Sequence, residues 1–266
     1  MQPLVSSTRL PYSRCCSLCS LRSSPFPPPQ DHGGANEEDL TTVIMKMNKG
    51  SDGYLLEGDM LIQTQRNAIR CSNPRYSCLW QKGASGYVEV PFEISNAYDN
   101  TDRNAIFTAM NEFKAKTCIR FVPRQREIAY LSIEPRAGCF SGVGRLGDKQ
   151  VVSLQRFGCV QNGIIQHELL HALGFYHEHT RFDRDDYVRI QFNNVPSYMQ
   201  YNFVKQESDY LNTPYDYSSV MHYGKTAFAD AGTESIIPIP DSSVPIGQRV
   251  TMSDIDILRI KRLYKC

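Results

Sequence analysis

Apolar and polar positions fall into two rhythms from residue 87 onward. Runs at 87–94, 118–122, 128–133 and 151–154 are rich in β-branched and aromatic residues and predict strands of one sheet. Between the first two, Ile106, Ala109 and Phe113 share one face of a helix, with Asn100 or Thr101 placed to cap its start. A second helix is predicted over 162–173, with Ile165, Leu169, Ala172 and Leu173 at core spacing and Gly174 placed to end it. A third, over 253–264, turns Ile255, Leu258 and Leu263 inward and is entered through Thr251 and Asp254. The prolines at 27–29 and the polar stretch Glu37, Glu38, Asp39 read as flexible leader.

Composition narrows the class. With 266 residues, 41% hydrophobic and 21% charged, the chain suits one main folded domain and an N-terminal extension. A net charge of +1 without a basic, aromatic-interleaved run excludes nucleic acid as an expected partner. No apolar run is long enough to span a bilayer.

Nine cysteines add a compartment. Cys15, Cys16 and Cys19 crowd the start, and no role is assigned to them. Cys71, Cys78, Cys118, Cys139, Cys159 and Cys266 form an even, widely spaced set, which reads as three disulfides in an oxidising compartment; six buried thiols are the alternative. The first 30 residues are interrupted by Ser, Arg and Pro and do not read as an ordinary export signal.

The chemistry sits in HELLHALGFYH. His167 and His171, four apart, project from one helix face and can share one cation. Glu168 between them can take a proton from water as it attacks a peptide carbonyl and pass it to the leaving amine. Gly174 permits a backbone reversal that returns His177 as a third ligand, leaving a position open. A two-histidine pattern alone arises by chance on amphipathic helices; five specified residues do not. Downstream, SSVMHYG places Met221 in a tight turn with Tyr223 after it, and the pairing of extended motif and Met-turn marks metzincin proteases. His179 and His222 fall outside the ligand spacing, and His32 lies in the leader.

From about Asn67 to Cys266, and most closely in FYHEHTRFDRDDYV and SSVMHYG, the chain resembles the astacin family. The resemblance implies an α+β, zincin-like domain: a twisted, mostly parallel sheet with an active-site helix and a C-terminal subdomain, and the active-site cleft between. It implies one zinc ion held by His167, His171 and His177, with Glu168 as general base. Tyr223 would be a displaceable ligand that stabilises the oxyanion, Met221 a hydrophobic floor, and Asp256 a carboxylate orienting a metal-binding histidine. It also implies the pairs Cys118–Cys266 and Cys139–Cys159, leaving Cys71 with Cys78. That N-terminal pair, with NAIRC and LNTPYDYSSVMHYG, is similar to the six-cysteine fish astacins, a group that includes hatching enzymes.

LLEGDM resembles the family's pro-segment motif, which nominates Asp59 as the zymogen switch, an aspartate that ligates zinc and displaces water. The resemblance then divides the chain into a leader over 1–36, a pro-segment over 37–66 and a peptidase domain over 67–266. An activating protease would cut after Arg66, and the new terminus would fold inward to meet Glu178. The expected product is a monomeric, secreted zinc endopeptidase, held in secretory granules before release, whose protein substrates include egg-envelope glycoproteins. An inactive zinc-containing binding module is the alternative, and Glu168 argues against it. A matrix-type metzincin would be silenced by a cysteine, and none lies near Asp59.

Overall fold

The computed structural model describes residues 38–51, 54–61 and 78–266. In chain order these form α1 (Leu40–Asn48), β1 (Leu55–Leu56), β2 (Met60–Leu61), β3 (Val88–Ile94), α2 (Asn100–Lys116), β4 (Ile119–Pro123), β5 (Tyr130–Glu134), β6 (Cys139–Ser141), β7 (Lys149–Leu154), α3 (Asn162–Ala172), β8 (Val188–Ile190), β9 (Ile236–Pro238) and α4 (Asp254–Leu263). Short 3-10 turns fill much of the stretch between α3 and β9.

Seven strands make one sheet in the order β1-β2-β6-β7-β5-β3-β4. The inner run β7-β5-β3-β4 is parallel, whereas β6 is antiparallel to β7. Parallel strands are covered on both faces, which is why β5 is buried from Tyr130 to Ile133 and its sequence shows no alternation. α2 and α3 pack against this sheet and each other. All four predicted strands are present, shifted by a residue or two; β6, at three residues, is too short to have left a sequence signal. β8 and β9 form a separate antiparallel pair.

Two apolar cores result. The larger joins the sheet to α1, α2, α3 and α4; the smaller gathers Val188, Val195, Phe203, Tyr215, Tyr223, Ala227 and Ile236. Met221 belongs to the first and Tyr223 to the second, so the turn between them links the cores.

Three local expectations need correction. Asp39 is not flexible leader: its carboxylate accepts the Thr42 amide at 3.0 Å and caps α1. α2 is capped by Asp99, not Asn100 or Thr101. α4 is capped by Ser253 in a capping box with Asp256, and packing in the larger core takes Ile257 and Ile260 inward; Ile255, Leu258 and Leu263 are only half-buried.

Disulfides join Cys118 to Cys266 and Cys139 to Cys159. Cys78 is also disulfide-bonded; Cys71, Arg66, Asn67, His32 and the leader with Cys15, Cys16 and Cys19 lie outside the described residues. No described helix is long and apolar enough to cross a membrane.

Candidate metal centre

α3 is buried along every residue from Gly163 to Ala172, so its histidines are set in protein on all sides. His167 and His171 lie one turn apart with ring centroids 4.7 Å from each other. Gly174, at φ +103, adopts the left-handed backbone that lets the chain double back and bring His177 to the same point. All three rings are buried.

Their protonation follows from their partners. His167 Nδ1 lies 2.8 Å from the Val220 carbonyl and His171 Nδ1 2.8 Å from the Phe175 carbonyl. A carbonyl only accepts, so both Nδ1 atoms carry hydrogen and a neutral ring presents its lone pair at Nε2. Yet His167 Nε2 is 3.1 Å from His171 Nε2 and 3.2 Å from His177 Nε2. Lone pairs at that separation repel unless a cation sits among them. Asp59 completes the set, with Oδ2 3.0 Å from His167 Nε2 and 3.2 Å from His177 Nε2, and Oδ1 3.4 Å from His171 Nε2. Three imidazole nitrogens and a carboxylate, ligand atoms all within 4.8 Å of one another, are a donor set suited to zinc.

Glu168 is fully buried beside this cluster, and neither carboxylate oxygen has a hydrogen-bond partner. Burial, and then the charge of Asp59, push its carboxyl well above the usual carboxylate range. Met221 is buried, and its carbonyl accepts the Glu178 amide at 3.0 Å. Tyr223 is buried too, its ring stacked on His179 with centroids 3.8 Å apart. Its hydroxyl donates to the Glu57 carbonyl rather than joining the metal-ligand cluster.

His179 and His222 are held away from the cluster. His179 Nε2 faces the Asn202 carbonyl, and His222 lies between the Tyr223 carbonyl and the Tyr215 hydroxyl. Burial pushes the His222 ring down to about 4 and holds His179 well below its ordinary value, so both are neutral.

Asp256 touches no metal-binding histidine. It accepts the Ser219 hydroxyl at 2.6 Å and the Val220 amide at 3.0 Å, while the Val220 carbonyl receives His167 Nδ1. Val220 therefore links Asp256 to a metal-binding histidine, by its amide on one side and its carbonyl on the other. Glu178 already has cationic partners: Arg259 binds both carboxylate oxygens, and Arg181 lies 3.3 Å from Oε1. Burial raises the Glu178 carboxyl and Arg259 opposes it, so in the precursor guanidinium groups neutralise this carboxylate.

The N-terminal segment occupies the rim of the centre. β2 pairs in parallel with β6 through Met60 and Ser141, and Asp59 O accepts the Ser141 amide at 3.0 Å. Asn48, at the end of α1, donates to the Gly58 and Cys139 carbonyls and accepts the Cys139 amide, each at 2.7 Å. At the other end of α1, Leu40 N donates to Gly247 O, and a Cβ on Gly224 would come within 2.3 Å of the Asp39 carboxylate. Glu57 directs its carboxylate at His177 Nδ1, 2.7 Å away, and also accepts from Gln206 at 2.8 Å. Asn48, Glu57 and Gln206 were not singled out by sequence; only the adjacency of Glu57 to Asp59 in LLEGDM hinted at one of them.

Comparison with known proteins agrees with this geometry. Residues 78–265 match the astacin family of peptidases. The low choriolytic enzyme of Oryzias latipes is 54% identical over 229 residues, covering 86% of this chain and 84% of that protein. High choriolytic enzyme 1 of the same fish is 51% identical over the same shares. A solved structure of high choriolytic enzyme 1, described as a hatching enzyme zinc-protease, superposes with a TM-score of 0.71 at 50% identity, covering 75% of this chain and all of that one.

Proposed function

Because this chain belongs to the astacin family and is a zinc-dependent endopeptidase, we propose that it is secreted as a latent precursor and, once cut after Arg66, hydrolyses proteins of the egg envelope. His167, His171 and His177 would hold the metal, and Asp59, whose oxygens face all three Nε2 atoms, would share in holding it until the pro-segment leaves. Zinc supplies Lewis acidity that polarises a carbonyl and eases deprotonation of water. Glu168 receives the water proton and delivers it to the leaving amine; its carboxyl is buried and without a hydrogen-bond partner, and burial holds it above the usual carboxylate range. Tyr223, released from the Glu57 carbonyl, donates its hydroxyl to the oxyanion of the tetrahedral intermediate.

The substrate assignment is drawn from the relatives, two choriolytic enzymes at 51–54% identity. Export is supported by the disulfides at Cys118–Cys266 and Cys139–Cys159. The observation that carries the peptidase mechanism is the convergence of three Nε2 atoms beside a carboxylate that binds nothing else.

The test uses processed, secreted protein on casein and on isolated egg envelopes. Activity on both should vanish with a chelator and return with zinc. Glu168→Gln should keep stoichiometric zinc and lose at least about a hundredfold in kcat. Equal turnover by that variant would reject the base; casein cleavage with intact envelopes would reject the substrate alone.

A further inference from the structure

Glu57 is placed as though it had a task of its own. It is 1% exposed and sits at φ +51, a left-handed backbone that is disfavoured for a non-glycine residue. Gly58 follows at φ +84. This pair reverses the chain so that the side chains of residues 57 and 59 reach the same imidazole. Glu57 Oε2 is 2.7 Å from His177 Nδ1, and Asp59 Oδ2 is 3.2 Å from its Nε2. His177 is thus held between two carboxylates of one turn, whereas His167 and His171 have only backbone carbonyls behind them. Gln206 fixes the other Glu57 oxygen at 2.8 Å, so the carboxylate cannot swing away.

The chemistry of that arrangement is specific. A carboxylate accepting Nδ1–H increases the electron density at Nε2 and makes the ring a stronger metal ligand than a carbonyl does. Charge adds to this. Within the donor set alone, three neutral imidazoles, a bound dication and the Asp59 carboxylate would sum to +1, and the Glu57 carboxylate would bring that sum to zero. Buried net charge is costly, so a neutral centre opposes dissociation of any member.

We propose that Glu57 is a positioning residue that acts through His177, and that with it the pro-segment slows the loss of zinc from the precursor. Both carboxylates leave together on activation, and the centre then regains its full positive charge. The proposal rests on the zinc assignment above, and its test separates the two.

The test measures zinc transfer from full-length precursor to a chromogenic chelator in excess, for wild type, Glu57→Gln and Glu57→Ala. The Gln variant is nearly isosteric and its one acceptor oxygen can still take Nδ1–H, while its NH2 turns to Gln206, whose amide must flip to offer oxygen; it removes the charge and keeps the hydrogen bond to His177. Release should be about 10- to 100-fold faster in the variants, more so for Ala. After processing, Glu57 is gone, and all three proteins should release zinc at one rate. Precursor variants that release zinc no faster than wild type overturn the proposal, as does a difference that persists after processing. A wild-type precursor without stoichiometric zinc would overturn the metal assignment instead.

Discussion

Replacing Ile44 by Ala isolates what α1 contributes to latency. Ile44 is 2% exposed and packs in the larger core with Leu40 and Val43. Losing a buried isoleucine to alanine costs about 2–5 kcal/mol, from lost transfer energy and the cavity left behind. Because Ile44 lies on the proposed pro-segment, that cost is expected to fall on docking of α1, and it corresponds to a roughly 30- to several-thousand-fold shift from docked towards undocked. Hydrogen exchange read by mass spectrometry on the intact precursor reports this directly. Amides of α1 should exchange faster by that factor, while those of α3 keep their protection. Lys46→Ala is the control: Lys46 is exposed and pairs only with Glu38, so its loss should change docking by under about 1 kcal/mol. Protein processed after Arg66 should have the same kcat/KM whether it came from wild type or variant. Unchanged α1 exchange would refute the docking role. Equal loss of protection in α3 would mean that α1 is an inseparable part of the peptidase core.

Other consequences follow from the buried charges. Arg259→Met leaves Glu178 with Arg181 alone and should destabilise the precursor by up to about 3–5 kcal/mol in urea unfolding, with Glu178→Gln recovering most of it. A loss under about 1 kcal/mol would show that Arg181 suffices. Asp256→Asn can keep an oxygen towards the Val220 and Ser253 amides but loses the charge that strengthens both bonds, and it turns its NH2 towards the Ser219 hydroxyl, which now donates to the carboxylate. Each charged hydrogen bond is worth about 1.5–3 kcal/mol, so the Met-turn should loosen and zinc retention in the processed enzyme fall about tenfold. Retention equal to wild type would place Asp256 in helix capping alone.

What could be read from the chain depended on how local each feature is. HELLHALGFYH fixes its ligands through helix geometry and one glycine, both short-range, so His167, His171 and His177 could be named before any coordinates. The strands of the parallel sheet were legible because burial on both faces leaves continuous apolar runs. The phase of α4 was not: apolar residues at 255, 257, 258, 260 and 263 surround the helix, and only packing against the larger core selects Ile257 and Ile260.

The pro-segment marks the boundary of local inference. Leu40, Val43, Ile44 and Met47 do follow helical spacing, but nine residues make a marginal helix alone, and α1 is held by what it docks against. β2 is two residues long and is a strand only because β1 and the edge of β6 flank it. Glu57 is the extreme case: its backbone conformation is disfavoured by its own side chain, and nothing within ten residues rewards it. Its partners, His177 and Gln206, lie 120 and 149 positions away. The proposed latency therefore rests on long-range contacts and the proposed reaction on short-range ones, so substitutions in residues 38–61 are expected to change how tightly the centre is closed without touching the groups assigned to hydrolysis.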